Sequence, residues 1–310
     1  MTRGALLSIA AVALSCLLLA PTAACAVPAG PSISWLRTPA NFAHAMGGLN
    51  VNGKIYTYTN TLEAFKQNYD KGYRIFECDF FPTSDNGLAC RHDWTPALFR
   101  ELGERYPGHV PTTRQFLATK VFGKYTPMDI NMVVGLMRSH PDMYVITDTK
   151  FSDSAHVRLE MRLIVKAMGK YKNTLAPRFI IQIYHEDMYN MVRSAYPWPN
   201  MILTTYHLPT SYSRNLAAVT FAKRYGIHVV TMDTYHYSSK LESKAHDMGI
   251  ALAVNTINSP SRAGSLNSAG VRYLYTDSLA SHDWWETSLT TSLMQPQIAP
   301  DAVPFNRYDD

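Results

Sequence analysis

Eight short runs rich in apolar, β-branched and aromatic residues recur along this chain, at 42–47, 73–80, 144–149, 179–184, 201–206, 227–232, 250–256 and 271–276. Most gaps between them carry the apolar period of a helix. One helix opens at Thr61, with Leu62, Phe65 and Tyr69 at core spacing. Another covers 154–168, with Val157, Met161, Ile164, Val165 and Met168 on one side, and 212–225, 238–248 and 261–269 continue the alternation. Strands alternating with helices predict an α/β protein with a parallel sheet and right-handed crossovers. Eight repeats predict that the sheet closes into a TIM (β/α)8 barrel, a fold that takes about 250 residues. Residues 32–295 supply that length without an internal linker.

The longest interruption lies between Asp79 and Tyr144. It begins with the turn-rich run Thr83-Ser84-Asp85-Asn86-Gly87, followed by the short apolar stretch 88–91. That pattern predicts a small hairpin insertion extending the second strand. Residues 107–127, bounded by prolines, read as an irregular insertion.

The two ends lie outside this alternation. Arg3, the apolar run 5–20, Pro21 and the small-x-small site Ala24-Cys25-Ala26 form the pattern of a secretory signal peptide over 1–26, cleaved near Ala26. A membrane anchor is disfavoured because the run is short for a span. A lipoprotein anchored at Cys25 is disfavoured because Thr22 stands where a lipobox carries a large aliphatic residue. The expected location is secreted or periplasmic. Residues 296–310 read as a flexible polar tail. Of four cysteines, Cys16 and Cys25 fall in the leader, leaving Cys78 and Cys90 as a pair in an oxidising compartment. Cys78 points away from the face shared by Glu77 and Asp79. If Cys90 shares a face with His92, the two thiols lie on opposite sides, so the sequence leaves a disulfide open. The formal charge of +5 is spread over scattered Lys and Arg. That suits anionic ligands and gives no basic patch for nucleic acid.

A (β/α) barrel builds its active site at the C-terminal ends of its strands. Here those ends carry His44, then Glu77-Cys78-Asp79, then His92-Asp93 after the hairpin, then Asp148-Thr149-Lys150. Glu77 and Asp79 are two apart on a strand and face the same way. Carboxylates crowded inside a barrel repel, and a hard divalent cation, Mg²⁺ or Ca²⁺, relieves this with Glu77, Asp79 and Asp148 as oxygen ligands. The competing arrangement pairs the acids with Lys150, but one Lys does not balance three acids. His44 and His92 titrate near neutral pH and suit proton removal on one side of a phosphorus and donation on the other. Gly47-Gly48 would let backbone approach a phosphate. Gln182, Tyr184, Tyr206, His207, Asp233 and Asn255 end later strands, and Gln182, Tyr184, Tyr206 and Asn255 join Lys150 as candidate substrate contacts. Trp94, Tyr206, Tyr235 and Tyr237 suit an amphipathic rim for a phospholipid head group, with transient contact at a membrane surface. Asp277 reads as a loop or helix cap. A retaining glycosidase is disfavoured, because its carboxyls stand about 5 Å apart across the scissile bond, whereas Glu77 and Asp79 share a strand.

The ordered motifs resemble the glycerophosphodiester phosphodiesterase family, within the broader phosphatidylinositol-phospholipase-C-like superfamily. AHAMGG stands for the family's His-Arg-Gly and FECDF for its Glu-x-Asp. PTSDNGLACRHDW is similar to its Thr-x-Asp-Gly…His-Asp run, and TLEAF to its first helix. ITDTK, LAVNTIN and GVRYLYTDSL resemble later strands. The resemblance implies a phosphoric diester hydrolase with His44 and His92 as the acid–base pair. It implies Glu77, Asp79 and Asp148 as metal ligands and Lys150 near the phosphate. It also implies attack by a neighbouring substrate hydroxyl to give a cyclic phosphodiester that water can open. Two positions depart from the pattern. Ala45 replaces the phosphate-binding Arg, and Asp148 replaces a Glu. The Asp-x-Lys form is also similar to the secreted phospholipase D toxins of spiders and their bacterial relatives. A phospholipase D-like enzyme releasing a cyclic phosphate, or a non-catalytic phosphodiester-binding barrel, is therefore the alternative.

Overall fold

The computed structural model describes residues 33–36 and 40–280, so the expected leader and tail lie outside the described residues. Strand β1 (Ala40–Ala43) is followed by a small hairpin of β2 (Leu49–Val51) and β3 (Lys54–Tyr56), then by helix α1 (Leu62–Asp70). β4 (Ile75–Pro82) folds back on β5 (Leu88–Cys90), and α2 (Pro96–Glu101), α3 (Thr113–Ala118) and α4 (Ile130–Ser139) follow. Then come β6 (Tyr144–Asp148), α5 (Ser154–Met168), α6 (Lys172–Leu175), β7 (Phe179–Ile183) and α7 (Glu186–Ala195). The described chain ends with β8 (Met201–Thr204), α8 (Tyr212–Arg224), β9 (Val229–Asp233), α9 (Ser239–Asp247), β10 (Ala251–Asn255), α10 (Pro260–Ser268) and β11 (Tyr273–Thr276).

Eight of these strands are parallel and close on themselves. β1 pairs with β11 on one side and β4 on the other, and β6 to β10 complete the ring. The expected TIM barrel is therefore present, with β5 antiparallel to β4 as the expected hairpin insertion. The helices start where the sequence offers caps. Thr61, Asp129, Asp153, Ser211, Ser238 and Ser259 each accept a backbone N–H at a helix N-terminus.

The two-residue period of a strand divides every barrel strand into two rows. Outward residues such as Phe76, Cys78, Phe80, Val145, Phe179 and Ile181 join the core under the helices. Inward residues Phe42, Ile75, Ile146, Ile180, Ile202, Val229, Ala253, Tyr273 and Tyr275 fill the barrel, together with Trp35 and Leu36. Two residues further along the same inward rows stand Glu77, Asp148, Gln182, Thr204, Thr231 and Asn255. The change from apolar to polar along one row is what makes one end of the barrel chemical.

Several expectations are corrected. The first strand stops at Ala43 rather than at residue 47, because the chain turns there. His44–Met46 form a 3-10 turn with Ala45 and Met46 at φ 50° and 68°. The β2–β3 hairpin was not expected. Its Asn52-Gly53 tip, with φ 51° and 85°, has the left-handed pair that a tight hairpin turn requires. The segment read as irregular contains α3, whose Thr112–Gln115 capping box is legible in the sequence. Cys78 and Cys90 are free and buried, and they do not lie on opposite sides. Phe80 pairs with Cys90, so Cys78 and Cys90 share the outward face, and the Cys78 thiol donates to the Asp79 carbonyl at 3.6 Å. The ladder ends at Cys90, and His92 leaves the strand before its parity matters.

Glu160 is fully buried on α5 near Thr149, and burial pushes its carboxyl from the usual 4.5 to about 9. The folded protein then keeps a proton that the unfolded chain releases above 4.5, so stability falls as pH rises from 4.5 towards 9. Glu160→Gln, neutral at every pH, is expected to raise unfolding stability at pH 8 by on the order of 2 kcal/mol. The gain should vanish near pH 4.5. Urea melts across that range check it; a variant no more stable at pH 8 than at pH 4.5, relative to wild type, would contradict the assignment.

Candidate active site

Glu77 and Asp79 leave β4 on its inward row, and Asp148 ends β6 directly opposite Asp79 in the parallel register. All three are buried, and one carboxylate oxygen from each lies within 4.8 Å of the others. Each acid is held from a different part of the chain. The Ala45 N–H donates to Glu77 Oε2 at 2.7 Å, which explains the left-handed turn after β1. Asn60 Nδ2 donates to Asp79 Oδ2 at 2.8 Å, and Asn60 Oδ1 accepts from the Asp79 N–H at 3.2 Å. The Tyr184 hydroxyl donates to Asp148 Oδ1.

Lys150 contributes the positive charge. Its Nζ is 2.5 Å from Asp79 Oδ1 and also contacts Asp148 Oδ2. Burial works against the ammonium, but Asp148, Asp79 and Glu77 outweigh it and raise its pKa. Burial likewise works against the Asp79 carboxylate, but Lys150, His92 and His44 hold it down at about 2. Glu77 is left over. Burial, then the charge of Asp79, pushes its carboxyl up to about 8. Its Oε1 is buried without a hydrogen-bond partner. Three converging carboxylates with one unpartnered oxygen fit a hard divalent cation, which prefers oxygen ligands and would displace the proton from Glu77. Lys150 thus answers two of the acids, and the residues still suit an ion.

Two histidines flank the acids. His44 Nδ1 is 2.9 Å from Asp277 Oδ1. Asp277 is itself fixed, accepting from Asn258 Nδ2 at 2.7 Å and donating its backbone N–H to Asn258 Oδ1 at 2.8 Å. Burial would lower His44, but the Asp277 hydrogen bond and the charges of Glu77, Asp277 and Asp79 hold it at about 9. His92 Nδ1 is 2.8 Å from Asp93 Oδ2, and Asp93 Oδ1 accepts the Thr95 N–H at 2.7 Å. The neighbouring Arg91 is buried, ion-paired to Glu104 at 2.8 Å, and stacked over Phe99. This pins the base of the His92 segment to the insertion. In both histidines Nδ1 is engaged by a carboxylate, which leaves Nε2 as the atom that can exchange a proton. The half-buried ring of Tyr58 meets both imidazoles, at 4.9 Å from His44 and 5.2 Å from His92 between ring centroids.

The other candidates divide. Tyr184 joins the cluster through Asp148. Tyr206 is pushed well above the usual tyrosine value by burial first and then by Tyr275, Asp148 and Glu77. Gln182 and Asn255 lie on the inward rows; Gln182 Oε1 accepts from Tyr275 at 3.4 Å, and Asn255 Oδ1 is buried without a partner. His207 is exposed and packs against Tyr184. Asp233 bonds the backbone of Tyr235 and His236 and the His236 ring, and so shapes its own loop. Trp94 is not at a rim. It is buried among Phe81, Phe99 and Phe116, with Nε1 donating to Pro82. Asp277 is more than a cap, since it orients His44. Tyr58 and Asn60 carry no local motif that marks them, and only the packing brings them in; Asn258 closes the LAVNTIN run, but its hold on Asp277 shows only in the packing.

Residues 52–281 match the Glycerophosphoryl diester phosphodiesterase family, and His44 precedes the matched span. No curated protein matches the chain. Among solved structures, a glycerophosphodiester phosphodiesterase from Parabacteroides distasonis aligns with a TM-score of 0.59 at 15% identity, over 76% of this chain and 92% of that one. An Oleispira antarctica phosphodiesterase, in complex with the product sn-glycerol-3-phosphate, aligns with a TM-score of 0.61 at 12% identity, over 79% of this chain and 95% of that one. At these identities the likeness shows the barrel fold.

Asp277→Asn removes the charge that supports the His44 imidazolium and leaves one amide oxygen where two carboxylate oxygens served His44 Nδ1 and Asn258 Nδ2. In metal-free protein His44 is expected to titrate at about 9, and in the variant to fall towards the usual 6.5. Proton NMR of the His44 Cε1–H against pH reads this directly, and an unchanged midpoint would show that Asp277 is not its support.

Proposed function

The chain belongs to the glycerophosphoryl diester phosphodiesterase family, and we propose that it cleaves small phosphodiesters, glycerophosphodiesters or lysophospholipids, by His44/His92 acid–base catalysis beside a divalent cation. The observation that carries this reading is the pair of carboxylate-anchored histidines flanking one buried triad of acids. Glu77, Asp79 and Asp148 would hold the ion, Mg²⁺ or Ca²⁺. When bound, it supplies positive charge to the phosphoryl oxygens as negative charge builds there.

The chain's own residues do the rest. One imidazole takes the proton from a substrate hydroxyl neighbouring the phosphate, and that oxygen attacks phosphorus. The other imidazole gives a proton to the departing alcohol, and a cyclic phosphodiester is left. Asp277 and Asp93 fix the tautomer of each ring by occupying Nδ1. Lys150, anchored between Asp79 and Asp148, presents its charge at the same mouth and serves the phosphate. Tyr184, Tyr206, Gln182 and Asn255 line the substrate side. Ala45 is fully buried and too short to stand in for the Arg clamp that the resemblance leads one to expect at this position. The Asp148–Lys150 arrangement favours, as the second reading, a phospholipase D-like phosphodiesterase that likewise releases a cyclic phosphate. Export through the leader at 1–26, and transient contact with a membrane surface, complete the reading.

Phosphorus NMR of a mixed panel of glycerophosphodiesters and lysophospholipids, with and without divalent ion, tests it. His44→Ala and His92→Ala are each expected to lower kcat by at least about 10³-fold while circular dichroism is unchanged, within the range seen for lost acid–base groups. Activity should disappear in excess chelator and return with Mg²⁺ or Ca²⁺. Full turnover in chelator would remove the cation from the proposal.

A further inference from the structure

We propose that Tyr58 is a positioning residue, the wedge whose phenol ring sets the separation and orientation of His44 and His92. The proposal rests on the phosphodiesterase reading of the site. Tyr58 lies between β3 and α1, outside every motif of the sequence. Its ring meets the His44 imidazole at 81° and the His92 imidazole at 76°, both edge-to-face, at centroid distances of 4.9 and 5.2 Å. The two imidazoles stand on one ring, so their centroids are no more than about 10 Å apart. Edge-to-face contact is the favoured aromatic geometry, and tilting either imidazole would forfeit it.

The backbone supports the same conclusion. Tyr58 has φ 55° and Asn60 has φ 47°. Bulky residues rarely take this left-handed conformation, and it persists only where surrounding contacts enforce it. The enforcing contact is Asn60, fully buried and locked to Asp79 through both its amide atoms. Thr61 then caps α1, which fixes the segment at its other end. One short stretch therefore ties a candidate ion ligand to both proton-transfer groups. Among the described residues the Tyr58 hydroxyl has no hydrogen-bond partner, so the ring rather than the hydroxyl performs the task. Proton transfer requires heavy atoms within about 3 Å, and a displacement of about 1 Å can cost about 100-fold in rate.

Tyr58→Ala is expected to lower kcat about 100-fold with KM changed less than about threefold, as expected when positioning is lost and binding kept. Tyr58→Phe should retain at least about a third of the wild-type kcat. In proton NMR of the metal-free protein, the Cε1–H signals of both histidines, assigned with His44→Ala and His92→Ala, should shift in Tyr58→Ala and stay near their wild-type positions in Tyr58→Phe. Where Tyr58→Ala does not fold, Tyr58→Leu fills the space without an aromatic ring and should show the same loss and the same shifts. A Tyr58→Ala or Tyr58→Leu protein with kcat within about threefold of wild type, or with both histidine signals unmoved, overturns the proposal. Wild-type protein that turns over no phosphodiester would instead overturn the phosphodiesterase reading, and the NMR comparison would then judge Tyr58's hold on the two rings by itself.

Discussion

Three carboxylates buried within 4.8 Å of one another are the constraint on which the rest of this structure depends. In water such a cluster is harmless. At the mouth of a barrel, with solvent removed, it demands compensating charge and hydrogen bonds from every direction. The surroundings supply them. Lys150 bridges Asp79 and Asp148, Asn60 grips Asp79, the Ala45 N–H and His44 approach Glu77, and the Tyr184 hydroxyl reaches Asp148. The turn after β1, the segment before α1 and the ends of β6 and β7 are all shaped by this demand. Among the described residues Glu77 Oε1 has neither a hydrogen bond nor an ion pair, which is why the cluster suits a cation.

The histidines are held by a separate set of supports. His44 depends on Asp277 and Asn258 at the far end of the chain, and His92 depends on Asp93 beside it. These supports differ in depth. The first lies in a buried corner closed by the last barrel strand. The second sits at the edge of an insertion anchored by the buried Arg91–Glu104 pair and its aromatic neighbours. The first histidine follows β1 and the second follows the hairpin of β4 and β5, so the two groups come from separate layers of structure. Tyr58 spans the gap between them.

Much of this was legible in the residues. The eight strands, the barrel, the hairpin after the second strand and the inward row of Glu77 and Asp79 follow from periodicity and alternation. The pairing of His44, His92 and Asp148 with those acids follows from reading strand ends alone. Where the reading failed, the cause was contact rather than pattern. Trp94 resembles a rim residue, yet it packs inside the insertion because Phe99 and Phe116 enclose it. The first strand stops early because Glu77 recruits the Ala45 N–H. Cys78 and Cys90 meet because the hairpin register sets Cys90 against Phe80.

Sequence by itself determined which residues face the barrel interior, because side-chain alternation along a strand is a local property of the backbone. It also determined the chemical types gathered at the strand ends. Tertiary structure alone decided who supports whom. His44 and Asp277 are 233 positions apart and become neighbours only when β1 pairs with β11 to close the ring. Asn60 and Tyr58 acquire their roles only when a left-handed segment is drawn onto Asp79. Closure of the barrel and burial of charge are properties of the whole chain, and no window of residues contains them.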